Sequence, residues 1–535
     1  MINFAKDTCN DALMEMRPLR KLPIGIQDFE KLRQDGYLYV DKTGLIYRLI
    51  SSGDYYFLSR PRRFGKSMLI STLKALYEGK KELFEGLAIA TKPDITWEKH
   101  PVLHLDLNTQ QYNAPEKLSY VINYFLLRHE RMYGIESDSN NYNFGPRFEK
   151  LIRTACEKTG KRVVILVDEY DKPMLQAIGN PELQDEFRAI LKGFYGALKS
   201  MDGCIRFALL TGVTKFGKIS VFSDLNNLKD ISMDERYADI CGITEQELLS
   251  NFDGYIERLA SNKEMSKQEA VEKLRTQYDG YHFHPKGTGV YNPFSLLNCL
   301  DENEFKDYWF ETGTPTYLVE LLKKHEYNLE KMAHAVISAK GINSIDGNST
   351  DPIPVIYQSG YLTIKGYNPE FGSYTLGFPN REVEKGFLDF LLPYYANLHN
   401  TDSAFCIQNF VTEVRQGDTT GFIKRLRSFF SDTPYELVKD VENHYQNVIF
   451  ILCKLMGFYT RAEYHTCEGR IDLVVKTKKF CYVMEFKLDG TAEQALEQIS
   501  QKNYALPFEI EDQQIIRIGI NFDGKTRNID KALVG

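Results

Sequence analysis

Between residues 54 and 210, short and largely apolar runs alternate with stretches whose apolar positions recur every three or four residues. Tyr55 to Leu58, Val102 to Leu107, Val163 to Val167 and Ile205 to Leu210 read as buried strands. Lys66 to Tyr77 and Glu182 to Leu198 carry the helical period. Together they predict a parallel sheet covered by helices, an α/β domain. From about Thr244 the texture becomes helix-rich, with helices expected over Glu245 to Ala260 and Ser266 to Tyr278, then turn-rich sequence over Gly280 to Pro293. Short β segments are expected at Ile353 to Ile356 and Tyr361 to Ile364, which suits a helical region with a small winged-helix-like element. The last part predicts helices over Thr412 to Ser431 and Val441 to Leu455, strands at Ile471 to Val475 and Phe480 to Phe486, and a helix over Glu493 to Lys502.

The chain of 535 residues is too long for one core. The expected division is an N-terminal extension over 1–20, a P-loop NTPase-like domain over 21–243, a helical and winged-helix-like linker domain over 244–402, and a C-terminal α/β domain over 403–535. Apolar residues at 43% and charged residues at 26% exclude a largely disordered chain. No apolar run approaches the roughly 20 residues of a membrane span, and Met1 to Arg20 lacks the apolar core of a secretory signal, so a cytoplasmic protein is expected. The nine cysteines lie far apart, without zinc-knuckle spacing, and read as buried thiols. His282 and His284 alternate along the chain as a metal pair would, but solvated loop residues are the better reading. A net charge of −7 excludes indiscriminate coating of a polyanion, so contact with nucleic acid must come from local basic surface.

Two constellations carry chemistry. The strand ending at Leu58 is followed by Ser59-Arg60-Pro61-Arg62-Arg63-Phe64-Gly65-Lys66-Ser67 and at once by a helix. Backbone N–H groups at such a helix start hold phosphate, Lys66 reaches the β/γ oxygens and the Ser67 hydroxyl ligates Mg²⁺. The strand Val163 to Val167 runs into Asp168-Glu169, placing Asp168 to hold the Mg²⁺ shell and Glu169 to polarise an attacking water, as in additional-strand ATPases. A third strand ends at Leu210-Thr211-Gly212-Val213-Thr214, where Thr211 or Thr214 is placed to sense the γ-phosphate. Arg60 stands where a standard P-loop has glycine, which restricts the tight turn, and Arg60, Arg62 and Arg63 offer compensating positive charge. Arg63, Gly65, Lys66, Ser67, Asp168 and Thr211 thus form the expected ATP and Mg²⁺ set, with Glu169 as its catalytic acid.

The second constellation is Ile471-Asp472-Leu473, a Lys-rich turn, and Met484-Glu485-Phe486-Lys487. Period-two alternation puts Glu485 and Lys487 on one strand face. If Lys478-Lys479 form a two-residue turn, Asp472 falls opposite Glu485, about 5 Å away. Two such carboxylates can hold Mg²⁺ or Mn²⁺ for phosphodiester hydrolysis, with Lys487 orienting water or stabilising charge. The plainer alternative is a solvated Glu–Lys pair on an edge hairpin, against which Val483, Met484 and Phe486 make the strand apolar on both sides. Glu442 is a candidate further carboxylate. Gln494, Gln498, Lys502 and Tyr504 form a candidate phosphate-binding surface.

With those residues, the chain resembles the bacterial AAA-ATPase-like family that carries a PD-(D/E)XK nuclease-superfamily domain at the C-terminus. The resemblance rests on Leu22-Pro23-Ile24-Gly25, Tyr39-Val40-Asp41-Lys42-Thr43, Arg60 to Ser67, Leu166-Val167-Asp168-Glu169-Tyr170-Asp171, Tyr357-Gln358-Ser359-Gly360-Tyr361-Leu362 and Glu485-Phe486-Lys487-Leu488-Asp489-Gly490. It implies Lys66, Ser67, Asp168 and Glu169 as nucleotide and Mg²⁺ positions and Asp472, Glu485 and Lys487 as nuclease positions. It also implies a role in defence or mobile elements, with the Arg-for-Gly change a family habit. The expectation is an ATP-gated, Mg²⁺-dependent nuclease acting on DNA rather than RNA, with self-association as a further expectation. Two rivals are a non-cleaving nucleotide-dependent switch whose C-terminal domain binds nucleic acid or a protein, and an ordinary ATPase motor.

Overall fold

The computed structural model describes residues 19–535 apart from 137, 216–220, 223–226, 312–317, 319–321, 323–326, 344–350, 397–399, 432–440, 458–460, 468–469, 502–512 and 527. The chain divides into two compact units, one ending at Lys306 and the other beginning at Asp307. Residues 1–18 of the expected N-terminal extension, and Lys502 and Tyr504, lie outside the described residues.

The first unit is built on a five-stranded parallel sheet of β1 (Tyr55–Ser59), β2 (Val102–Asp106), β3 (Val163–Asp168), β4 (Ile205–Gly212) and β5 (Lys229–Asp230). Every residue of β1 and β3 is buried, as strands covered on both faces require. The spatial order is β2-β3-β4-β1-β5. An additional strand, β4, therefore lies between the strand before the glycine-lysine loop and the strand ending in acids. Because the strands are parallel, the chain leaves Ser59, Asp106, Asp168 and Gly212 at one edge of the sheet, where α/β sheets bind ligands. Helix α1 (Lys66–Tyr77) starts there, and α2 (Pro115–Met132) and α3 (Phe144–Thr159) follow β2. Four strands and the helix over Lys66 to Tyr77 match the sequence expectation. The expected helix over Glu182 to Leu198 is instead two, Pro181–Tyr195 and Ala197–Ser200, and that over Glu245 to Ala260 is also two, Glu245–Asn251 and Asp253–Asn262, hinged at buried Phe252.

In the second unit β6 (Val336–Ser338), β7 (Thr363–Asn368) and β8 (Ser373–Gly377) form a small antiparallel sheet in the order β6-β8-β7. Ile353 to Ile356, expected as a strand, is helix Ile353–Gln358, all six residues buried. Pro354 fits a first helical turn, and a short apolar run does not distinguish buried helix from buried strand. The expected helix over Thr412 to Ser431 is two, Asn400–Gln416 and Thr419–Ser431, broken at Gly417 with φ of +82°.

The C-terminal sheet comprises β9 (Arg461–Cys467), β10 (Arg470–Lys476), β11 (Phe480–Leu488), β12 (Gln514–Asp523) and β13 (Asn528–Val534), in the order β13-β12-β11-β10-β9. It packs against α4 (Val441–Gly457) and α5 (Ala492–Gln501). β11 is central, antiparallel to β10 and parallel to β12. The edge-hairpin alternative is thereby excluded. No described helix is long and apolar enough to cross a membrane.

Candidate functional site

The glycine-lysine loop is set by two left-handed residues, Arg63 (φ 68°) and Gly65 (φ 94°), and Gly65 opens α1. Arg60 has no positive φ, so the position expected to demand glycine does not. Nor does its charge face a phosphate site. The buried guanidinium donates to the carbonyls of Ser59 (2.9 Å), Ser232 (2.8 Å) and Tyr237 (2.9 Å) and lies 4.0 Å over the Phe283 ring. The expected charge compensation by Arg60 is therefore overturned, because its buried Nη donors bond the carbonyls of Ser59, Ser232 and Tyr237. Arg63 reaches over Phe294 at 4.3 Å; burial and neighbouring Arg62 lower its pKa.

Lys66 donates to the carbonyls of Arg60 (3.1 Å) and Pro61 (3.2 Å) and pairs with Glu169 Oε1 at 3.1 Å. Burial opposes its charge, but Glu169 and Asp168 outweigh burial and hold its pKa above the ordinary lysine value. Ser67 Oγ donates to Asp168 Oδ2 at 2.6 Å and Thr211 Oγ1 to Asp168 Oδ1 at 2.5 Å. The structure thus brings together Lys66, Ser67, Asp168, Glu169 and Thr211 from three strand ends. Glu169 sits at φ 55°, a strained setting for a residue with a Cβ.

Asp171 joins this cluster without having been assigned a role from sequence. Fully buried, it accepts from Val213 N (3.1 Å), Thr214 N (2.6 Å) and Thr214 Oγ1 (2.7 Å), tying the exit of β3 to the exit of β4. Burial, with the charge of Glu169 adding, pushes its pKa up to about 6. Thr214 is thereby engaged by Asp171, whereas Thr211 faces Asp168. Gly212 permits the approach: a Cβ there would stand 2.5 Å from Asp171 Oδ1 and 2.7 Å from the Tyr170 ring. The sequence signal was a further acid two residues beyond an acidic pair.

In the C-terminal sheet, Asp472 pairs with Glu485 in the register that a Lys478-Lys479 turn requires, and Thr477 N closes that turn on Phe480 O at 2.8 Å. The side chains of Asp472 and of Glu442, on α4, lie outside the described residues. Glu485 is fully buried. Its Oε1 accepts from Lys487 Nζ at 3.1 Å, and Lys487 donates also to Gln498 Oε1 at 2.5 Å. Glu485 Oε2 is buried with no hydrogen-bond partner among the described residues, and so is Gln498 Nε2. A carboxylate oxygen left so is costly unless a cation or proton joins it. The donors are hard oxygens, which suit Mg²⁺ or Mn²⁺.

Gly519, beside Glu485 on β12, lets α5 lie directly on the sheet; a Cβ there would collide with the Ala492 carbonyl and come within 2.7 Å of Leu496 N. That close docking carries Gln498 to Lys487. Gln494 caps α5: its Oε1 accepts from Thr491 N (3.1 Å) and Thr491 Oγ1 accepts from Gln494 N (3.1 Å), a capping box. His282 and His284 are loop residues, and among the described residues no three His, Cys, Asp or Glu side chains cluster as a metal centre.

The sequence matches the family model described as predicted AAA-ATPase over residues 23–222 and that of the PD-(D/E)XK nuclease superfamily over residues 440–532. A protein of Azotobacter chroococcum mcd 1, described as an uncharacterized protein in the vnfD 5' region, is 35% identical over 527 residues, covering 95% of this chain and 98% of that one. A solved structure of the Aeropyrum pernix ORC2 protein in ADPNP-ADP complexes matches over 69% of this chain and 92% of that one, at 11% identity and a TM-score of 0.24, too slight a likeness to bear on function. The parallel sheet ending in the Lys66 and Asp168 cluster, the mixed sheet around Glu485 and the two family matches agree: the chain belongs to the predicted AAA-ATPase family and has a PD-(D/E)XK nuclease-superfamily domain at its C-terminal end.

Proposed function

We propose that this protein is a nucleotide-controlled, divalent-metal-dependent nuclease of the cytoplasm, cutting DNA in preference to RNA in defence or mobile-element biology. The observation that carries the reading is the fully buried Glu485, one oxygen on Lys487 and the other without a partner among the described residues, on a strand register that sets Asp472 opposite. Asp472 and Glu485 would hold Mg²⁺ or Mn²⁺. When bound, the ion supplies a water of lowered pKa and polarises the phosphodiester. Lys487, steadied by Glu485 and Gln498, stands to stabilise negative charge developing on phosphate oxygens.

In the first unit, Gly65 and the start of α1 offer backbone N–H groups to phosphate, Lys66 offers its ammonium, and Ser67 with Asp168 would hold Mg²⁺. Lys66 exchanges Glu169 for phosphate when nucleotide enters, which frees Glu169 to take the proton of an attacking water. The test is cleavage of plasmid DNA and of labelled RNA with Mn²⁺ or EDTA, with and without ATP. Metal-dependent DNA cutting is expected, changing at least about fivefold with ATP in the parent and not in Lys66→Ala. Failure to cut under every metal and nucleotide condition sinks the proposal. The pairing of Lys66 with Glu169 favours a second reading, a switch that binds nucleotide without turning it over. Metal-dependent DNA cutting without steady ATP turnover would select ATP binding alone as the control.

A further inference from the structure

Helix α2 presents an unusual outer face. Tyr120 and Tyr124 are 59% and 61% exposed, and their rings stack at 6.4 Å with planes 17° apart. Lys117, Tyr120, Tyr124, Arg128 and Arg131 follow one another at spacings of three and four, hence along one stripe of the helix, about 21 Å long. All five are exposed, and among the described residues none of the three cations forms an ion pair. Glu130, the acid nearest to Arg128 and Arg131 in sequence, is buried against Arg147 at 2.8 Å and offers them no neutralising partner.

The same buried network anchors a turn that carries a third exposed aromatic. Arg147 donates to Asn123 Oδ1 and to the Asn141 carbonyl, and Asn123 Nδ2 to the Ser139 carbonyl, which anchors the turn carrying Tyr142, 59% exposed. At its other end the stripe opens into a polar hollow of about 540 Å³ whose lining includes Lys117, Asn108, Gln111, Asn113 and Lys172. Contiguous exposed aromatics rimmed by polar residues mark an interaction surface, whereas single exposed ones do not. Stacked aromatics flanked by amides and by cations that form no ion pair among the described residues are complementary to a strand whose bases are unpaired and whose backbone is anionic.

We propose that the α2 stripe and its hollow bind single-stranded nucleic acid, bases stacking on Tyr120 and Tyr124 and phosphates lying along Lys117, Arg128 and Lys172. This rests on the nucleic-acid reading above, but it concerns holding the strand rather than cutting it. The test is anisotropy of a fluorescein-labelled oligo-dT 20-mer with the full chain in EDTA, which keeps the strand intact. Tyr120→Ala/Tyr124→Ala should weaken binding at least about tenfold, Tyr120→Phe/Tyr124→Phe should restore it, and Lys117→Gln/Arg128→Gln should flatten the log–log salt slope by about 1.4.

Each variant changes exposed side chains, and unchanged thermal melting checks that the fold survives. Parent-like strand binding by the alanine variant overturns the proposal. So does absence of strand binding by the parent, or loss of self-association alone in the variant, which would make the face a protein contact. Tyrosine-dependent binding without cutting in Mn²⁺ would leave this proposal standing and defeat the nuclease reading. Cutting with no dependence of affinity on the tyrosines would do the reverse.

Discussion

Restoring the missing glycine of the P-loop should damage the protein. In Arg60→Gly, three hydrogen bonds of 2.8 to 2.9 Å from a buried guanidinium to the carbonyls of Ser59, Ser232 and Tyr237 disappear, together with the contact over Phe283. Charged hydrogen bonds contribute roughly 1.5–3 kcal/mol each and the cation–π contact about 1–2 kcal/mol, while the cost of burying the guanidinium offsets several of these. A net loss of about 3–5 kcal/mol is expected, since three buried carbonyls lose their donors at about 1–3 kcal/mol each and desolvation relief offsets part of it. For a unit of this size that lowers the melting temperature by roughly 10 °C. Differential scanning calorimetry of parent and variant measures it, and a fluorescent ATP analogue measures affinity, which should fall because Arg60 and Pro61 carry the carbonyls that position Lys66. Arg60→Lys keeps charge without the planar fork and should lie between the two. An Arg60→Gly protein that melts with the parent and binds ATP more tightly would refute the bracing role.

Three further outcomes follow from the same geometry. Asp171 carries a pKa raised to about 6 by burial, above its unfolded value, so its ionisation costs stability: relative to Asp171→Asn, the parent should lose melting temperature as pH rises from about 4 to about 6, and a pH-independent difference would contradict the assignment. Glu169→Gln removes the partner of Lys66, so calorimetry should find ATP bound more tightly while turnover is abolished; unchanged affinity would mean that the ion pair does not compete with nucleotide. Gly519→Ala should displace α5 and lower cleavage and stability together, by about 1–3 kcal/mol in stability, though it touches no candidate ligand; full activity would show that Gln498 does not position Lys487.

The sequence disclosed much of this because its strong signals were local. Four wholly or largely apolar strands, a helix beginning at Gly-Lys-Ser and acids at a strand end are short-range patterns, and their convergence follows from parallel topology. The Asp472–Glu485 register was legible because a two-residue turn fixes it and a one-residue slip would reverse the face. What stayed hidden was long-range. Arg60 looked like a phosphate-facing charge because nothing nearby reveals that Ser232 and Tyr237 supply its carbonyls. Asp171 gains its environment from Val213 and Thr214, more than 40 residues away. β9, β12 and β13 were missed, although β12 sets β11 inside the sheet and its Gly519 lets α5 lie over the face that carries Glu485. Ile353 to Ile356 misled because burial erased the periodicity that separates helix from strand.

The most direct test of the central claim is Mn²⁺-dependent cleavage of DNA by the full chain beside Glu485→Gln, which removes the buried negative charge while keeping the side-chain shape. A loss of at least about 100-fold, with folding intact by circular dichroism, is predicted. Equal cleavage by variant and parent would contradict the site.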